Sequence, residues 1–79
     1  MAEVRAEMVA NVWRVLVKEG DVVEEGDTLA ILESMKMEIP VVSEDEGTVV
    51  KVAVKGGDES DVKSMGDVVQ EGDLLFVIE

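Results

Sequence analysis

An all-β sandwich closed from two copies of one motif is the fold the sequence predicts, and three observations predict it. Apolar residues make up 47% of the chain, valine dominates them and only Trp13 and Phe76 are aromatic, so the interior has to be filled by small β-branched side chains that favour strands. These residues fall in short alternating runs punctuated by Gly-Asp pairs, which is strand-and-turn spacing. The chain also repeats itself. Residues 12–33 align with residues 49–79 once residues 57–65 are set aside, and 13 of 22 aligned positions are identical, too many for chance. Two copies are too few for a solenoid, but they can close face to face about a pseudo-two-fold axis.

Each element follows in order. Residues 12–18 read as a strand with Trp13, Val15 and Val17 on one face, and residues 49–55 as its mate with Val50, Val52 and Val54. These six are the expected core. Trp13 is in phase with core positions, so it is read as packing rather than as a ligand platform. Arg14, Lys18, Lys51 and Lys55 are expected to face solvent. Each strand runs into a Gly-Asp turn (Gly20-Asp21, Gly66-Asp67), a Val-Val step, a second Gly-Asp turn (Gly26-Asp27, Gly72-Asp73) and a closing strand (28–33, 74–79). At each turn the glycine is expected to take a positive φ and the aspartate to bond nearby backbone. The aspartates are isolated pairs, not the alternating oxygen ligands of a calcium loop, so no metal site is expected.

Between the copies lies Glu33-Ser34-Met35-Lys36-Met37-Glu38. Residues 29–32 and 37–42 are close enough in sequence to pair antiparallel, which leaves Ser34, Met35, Lys36 and Met37 to make or flank the turn. A turn tip is normally glycine, asparagine, aspartate or proline. Methionines on both sides of an exposed lysine instead offer soft contacts that adapt to a partner's shape. Residues 57–65 read as a polar surface loop, and pseudo-symmetry puts it at the end away from Lys36.

Composition removes whole classes of function. Seventy-nine residues give one domain, 1–79, with no linker composition at either end and little room for a deep catalytic cleft. Without cysteine or histidine there is no disulfide framework, no cysteine or histidine zinc site, no thiol nucleophile and no Ser-His-Asp relay. A net charge of −12 opposes nucleic acid and anionic membrane surfaces. The N-terminal residues lack a signal-peptide pattern and no apolar run has membrane-spanning length, so the expected location is the cytoplasm.

The Met35-Lys36-Met37 tripeptide, with Glu33 before it and Glu38 after it, set centrally between duplicated valine-rich half-motifs with Gly-Asp turns, resembles the biotinyl domains of biotin-dependent carboxylases, transcarboxylases and decarboxylases. It is most similar to the small single-domain biotin or biotin/lipoyl attachment proteins. The resemblance covers nearly the whole chain. It implies a flattened barrel of two four-stranded antiparallel sheets, with the target lysine on an exposed turn at one end and both termini at the other. It implies covalent biotin on Lys36, with Met35 and Met37 in the cofactor-binding tip. Biotin protein ligase would recognise Glu33, Ser34, Met35, Met37 and Glu38; Ser34 departs mildly from the alanine common there. The partners implied are that ligase and the biotin carboxylase and carboxyltransferase subunits between which carboxyl groups are carried, and no residue of this chain is expected to be catalytic. The base for attachment would come from the ligase. A lipoyl carrier shares the fold and central lysine, but its flanks are typically acidic before and small after. The two methionines favour biotin over lipoate. A cofactor-free interaction module using the Met35-Lys36-Met37 tip is the alternative from a different class, and it would leave Lys36 unmodified.

Overall fold

The computed structural model describes every residue of the chain except Glu59 and Val62. Eight strands follow one another: β1 (Ala2–Arg5), β2 (Ala10–Val15), β3 (Val22–Val23), β4 (Thr28–Ser34), β5 (Met37–Val42), β6 (Gly47–Val52), β7 (Val68–Val69) and β8 (Leu74–Ile78). They form two antiparallel four-stranded sheets, ordered β1-β8-β6-β3 and β5-β4-β2-β7. Exchanging β1 with β5, β2 with β6, β3 with β7 and β4 with β8 turns one sheet into the other. The sandwich therefore has the expected pseudo-two-fold symmetry. β1 had no counterpart in the expected element list, and β2 and β6 each begin two residues earlier and end three earlier than expected.

Four Gly-Asp turns carry this symmetry at the level of single hydrogen bonds. The carboxylates of Asp21, Asp27, Asp67 and Asp73 accept from the backbone N–H of Lys18, Glu24, Lys55 and Gln70, each at 2.9 Å. Gly20 N–H donates to Val49 O and Val49 N–H to Asp21 O; the mates are Gly66 to Val12 O and Val12 N–H to Asp67 O. Gly26 and Asp27 bracket Ser43 in the same way, and Gly72 and Asp73 bracket Ala6. Gly20, Gly26 and Gly72 have the expected positive φ. Gly66 does not, and its requirement is different: a Cβ there would lie 2.0 Å from Lys55 O. Residues 57–65 leave and rejoin the chain between Lys55 and Asp67 without disturbing the bond between them.

The core corrects the expected six. Phe76, Leu29, Leu75, Ile78, Val12 and Val49 are fully buried, each contributing roughly 1.5–3 kcal/mol of transfer free energy. Val15, Val17, Val52 and Val54 pack against this cluster partly buried, whereas Trp13 stays half-buried and Val50 is 40% exposed. The cause is a β-bulge. Val12 pairs with Leu32 and Arg14 with Ile31, so Trp13 is an extra residue on β2, and Val50 is its mate on β6. One inserted residue flips the alternation, so Val12 and Val15 both face inward. A second bulge pair at Leu29 and Leu75 lets β4 and β8 bury consecutive residues.

Arg14 also departs from expectation. Lys18, Lys51 and Lys55 are exposed as expected, but Arg14 is only 9% exposed. Its guanidinium donates to Trp13 O (2.7 Å), Asp61 O (3.1 Å) and Ser64 O (3.2 Å) and lies 4.5 Å from the centroid of the Trp13 ring. Arg14 thus latches the inserted loop onto β2. Within that loop the Ser60 N–H and O–H both reach Asp58, holding its carboxyl below the usual range with help from Arg14. Gly57 N–H donates to Trp13 O, so the described part of the loop lies along residues 12–15. That is the half of β2 away from the Lys36 hairpin, as pseudo-symmetry predicted.

Arg14→Met removes three charge-assisted bonds to carbonyls and should cost about 1–3 kcal/mol in urea unfolding. Lys51→Met, at the equivalent exposed position, should change stability by less than about 0.5 kcal/mol. Equal effects at the two positions would contradict the latch.

Candidate functional site

β4 and β5 form a hairpin in register from Thr28↔Val42 to Ser34↔Met37. Only Met35 and Lys36 remain for the turn, with φ of 52° and 65°. Two positive φ values identify the mirror-image type I′ turn, whose twist matches the flanking strands and which Asn-Gly normally fills. Neither residue is a glycine. Holding two ordinary side chains in the left-handed region costs about 1–3 kcal/mol each, and it persists because the six-pair ladder beneath holds Ser34 opposite Met37 and so fixes a two-residue loop.

The turn puts its side chains in solvent. Lys36 is exposed, Met35 is 92% exposed and Met37 65%. Burial explains none of the three, and two large apolar side chains in water on a strained turn are what a transient contact surface requires. One rung below, Glu33 and Glu38 are direct cross-strand partners, and on β4's other side Glu33 faces Asn11 of β2, which pairs with Val68 of β7. Like charges placed opposite each other destabilise a ladder, so this pair too is not explained by stability. The sequence-predicted residues Glu33, Ser34, Met35, Lys36, Met37 and Glu38 are thus gathered on one protruding hairpin. Of the four residues expected to make or flank the turn, Met35 and Lys36 make it, and Ser34 and Met37 flank it as the last ladder pair.

The pseudo-two-fold exchanges this hairpin with the β8 and β1 ends, where Ala2 pairs with Ile78. Arg5 at the other end of β1 leads through residues 6–9 to Ala10, beside the Glu33 rung. The chain ends therefore lie at the far end of the sandwich from Lys36. A groove of about 430 Å³ runs between edge strands β1 and β5, floored by Val4, Leu32, Ile39 and Ile78 and rimmed by Glu3 and Glu44. It is a larger hollow than the chain length led us to expect, and Lys36 is not part of its lining.

Type I′ geometry gives a direct test. Replacing Met35-Lys36 by Asn-Gly should raise stability by about 1–2 kcal/mol, seen as a rise of several degrees in thermal midpoint. A fall in midpoint would mean that the turn is not strained as described.

Comparison with known proteins places this geometry. The family model described as "Biotin-requiring enzyme" matches residues 2–65. The chain is 54% identical over 79 residues to a biotinylated protein TB7.3 homolog of Mycobacterium leprae, covering 99% of both chains. It is 47% identical over 73 residues to a biotin/lipoyl attachment protein of Bacillus subtilis, covering 92% of this chain and 88% of that one. Among solved structures, the urea carboxylase of Kluyveromyces lactis superposes with a TM-score of 0.81 at 33% identity, covering 99% of this chain and 6% of that chain. A single-chain, multi-domain long-chain acyl-CoA carboxylase superposes with a TM-score of 0.78 at 31% identity, covering 95% of this chain and 7% of that chain.

Proposed function

This chain belongs to the biotin-requiring enzyme family, and from that premise we propose that Lys36 is the residue on which it carries covalent biotin. It is a biotin-requiring carrier domain whose relatives are biotinylated proteins and the biotin domains of carboxylases. The observation that carries the Lys36 assignment is the strained, solvent-exposed Met35-Lys36 turn, whose residue types neither turn geometry nor burial explains.

The residues present fit the group. Lys36 extends from the tip of a rigid hairpin with open solvent around it, and Met35 and Met37 give an attaching enzyme adaptable apolar contacts. Attachment would join the Lys36 Nζ to the carboxyl carbon of biotinyl-adenylate as an amide, breaking that carbon's bond to the phosphate oxygen so that AMP leaves, while a base of the biotin protein ligase takes the proton from the lysine amine. Glu33 and Glu38 would be read by that ligase and do not serve as the base. When bound, biotin supplies a ureido nitrogen that accepts a carboxyl group at one active site and releases it at another.

The chain's own part is mechanical. A turn held by six cross-strand pairs presents Lys36 in one orientation, so a partner does not pay to order the tip on each visit. The long arm raises the local concentration of the carried group at both sites. Carboxylation and transfer belong to the biotin carboxylase and carboxyltransferase partners. We place the domain in the cytoplasm, where the ligase and its ATP are found. Lipoate remains the second reading only because a biotin/lipoyl attachment protein is among the relatives.

Intact mass after incubation with ligase, ATP and biotin should rise by one biotinyl group, and Lys36→Ala should abolish the gain. Lipoate ligase should add little. A gain of lipoyl mass alone would reverse the choice of cofactor.

A further inference from the structure

The duplication is an internal control: what both copies share serves the fold, and what one copy has alone calls for another explanation. The β1–β2 connection and the β5–β6 connection are mates. Gly72 and Asp73 hold Ala6 by the same two backbone bonds with which Gly26 and Asp27 hold Ser43, so the two connections are anchored alike. The residues that follow are opposite in character. Copy two has exposed Asp45 and Glu46, whereas copy one has Met8 and Val9, 38% and 62% exposed. The anchoring tolerates either pair, and Met8 and its mate Asp45 both line the groove between β1 and β5, so the groove does not require the apolar pair either.

Position supplies the reason. β2 begins at Ala10, and Asn11 shares a rung with Glu33. Val9 and Met35 each lie two residues beyond that rung, at the end of the sandwich that carries Lys36. At the carrier end the β1–β2 connection and the hairpin therefore expose Met8, Val9, Met35 and Met37 among Glu7, Glu33 and Glu38, whereas the mating β5–β6 connection at the far end exposes Glu44, Asp45 and Glu46.

We propose that Met8 and Val9 form a second apolar contact beside the lysine hairpin, and that the biotin protein ligase grips the domain through it, with an apolar hollow bordered by basic groups. This rests on the reading of Lys36 as the attachment site. The ligase is the partner with most need of such a surface. It meets the domain before any cofactor marks it and must distinguish Lys36 from the exposed Lys18, Lys51, Lys55 and Lys63 by the surface around it. A later partner has the attached biotin as a handle.

The test writes copy two's own sequence into copy one. M8D/V9E in the full chain should lower kcat/KM for ligase-catalysed biotinylation about tenfold, chiefly through KM, with an unchanged thermal midpoint. D45M/E46V, at the far end, should leave kcat/KM within about twofold of the parent. M8S/V9T replaces the first variant if its midpoint shifts. Unchanged kcat/KM in a folded M8 and V9 variant would overturn the proposal, including the case where the biotinylated variant is instead carboxylated more slowly. A parent protein that takes no biotin would overturn the Lys36 reading and this proposal together; a parent that does, beside an unaffected variant, would overturn this proposal alone.

Discussion

The bracket formed by each Gly-Asp turn around a residue of another segment is the constraint on which the rest of the structure depends. It occurs four times, and in each the glycine N–H and the aspartate C=O clasp one residue while the aspartate carboxylate ties its own turn. The brackets cross between copies. Copy one's Gly20-Asp21 holds Val49 of copy two, and copy two's Gly66-Asp67 holds Val12 of copy one. Val12 and Val49 are both fully buried, so the same contacts that join the halves aim the central core residues inward. Neither half can complete its hydrogen bonding or bury its apolar face alone, which is why a chain this short, with so few aromatics and no cysteine, closes a core.

That closure gives the Lys36 hairpin its firm base. β4 lies between β5 and β2 with Leu29, Ala30 and Leu32 buried beneath it, and the hairpin projects past the sheet on this support. The tip spends stability in two places, the left-handed Met35-Lys36 turn and the Glu33-Glu38 rung. Local strain survives where the surroundings over-determine it, and here it coincides with the one lysine that family membership leads us to read as the carrier residue.

Much of this was legible in the sequence because duplication reports on structure twice. Gly20-Asp21 and its three relatives announced the turns, and the Met35-Lys36-Met37 tip stood out against the residues turns prefer. Val15, Val17, Val52 and Val54 were placed correctly, but Trp13 and Val50 were not, because strict alternation cannot foresee the bulge at these two positions. The repeat held a better signal: valine is shared at 12 and 49, 15 and 52, and 17 and 54, whereas Trp13 faces Val50. Those shared valines are the ones directed to the interior. Arg14 was misjudged for a different reason. Its partners are main-chain carbonyls of Asp61 and Ser64, and no side-chain pattern marks a carbonyl as an acceptor.

The claim that this scaffold singles out Lys36 is tested most directly by locating the modification. The folded protein, treated with biotin protein ligase, ATP and biotin, would be digested and its peptides sequenced by tandem mass spectrometry. Biotin on Lys36 and on none of the exposed Lys18, Lys51, Lys55 and Lys63 is the predicted result. Labelling spread among those lysines, or confined to one of them, would contradict the account.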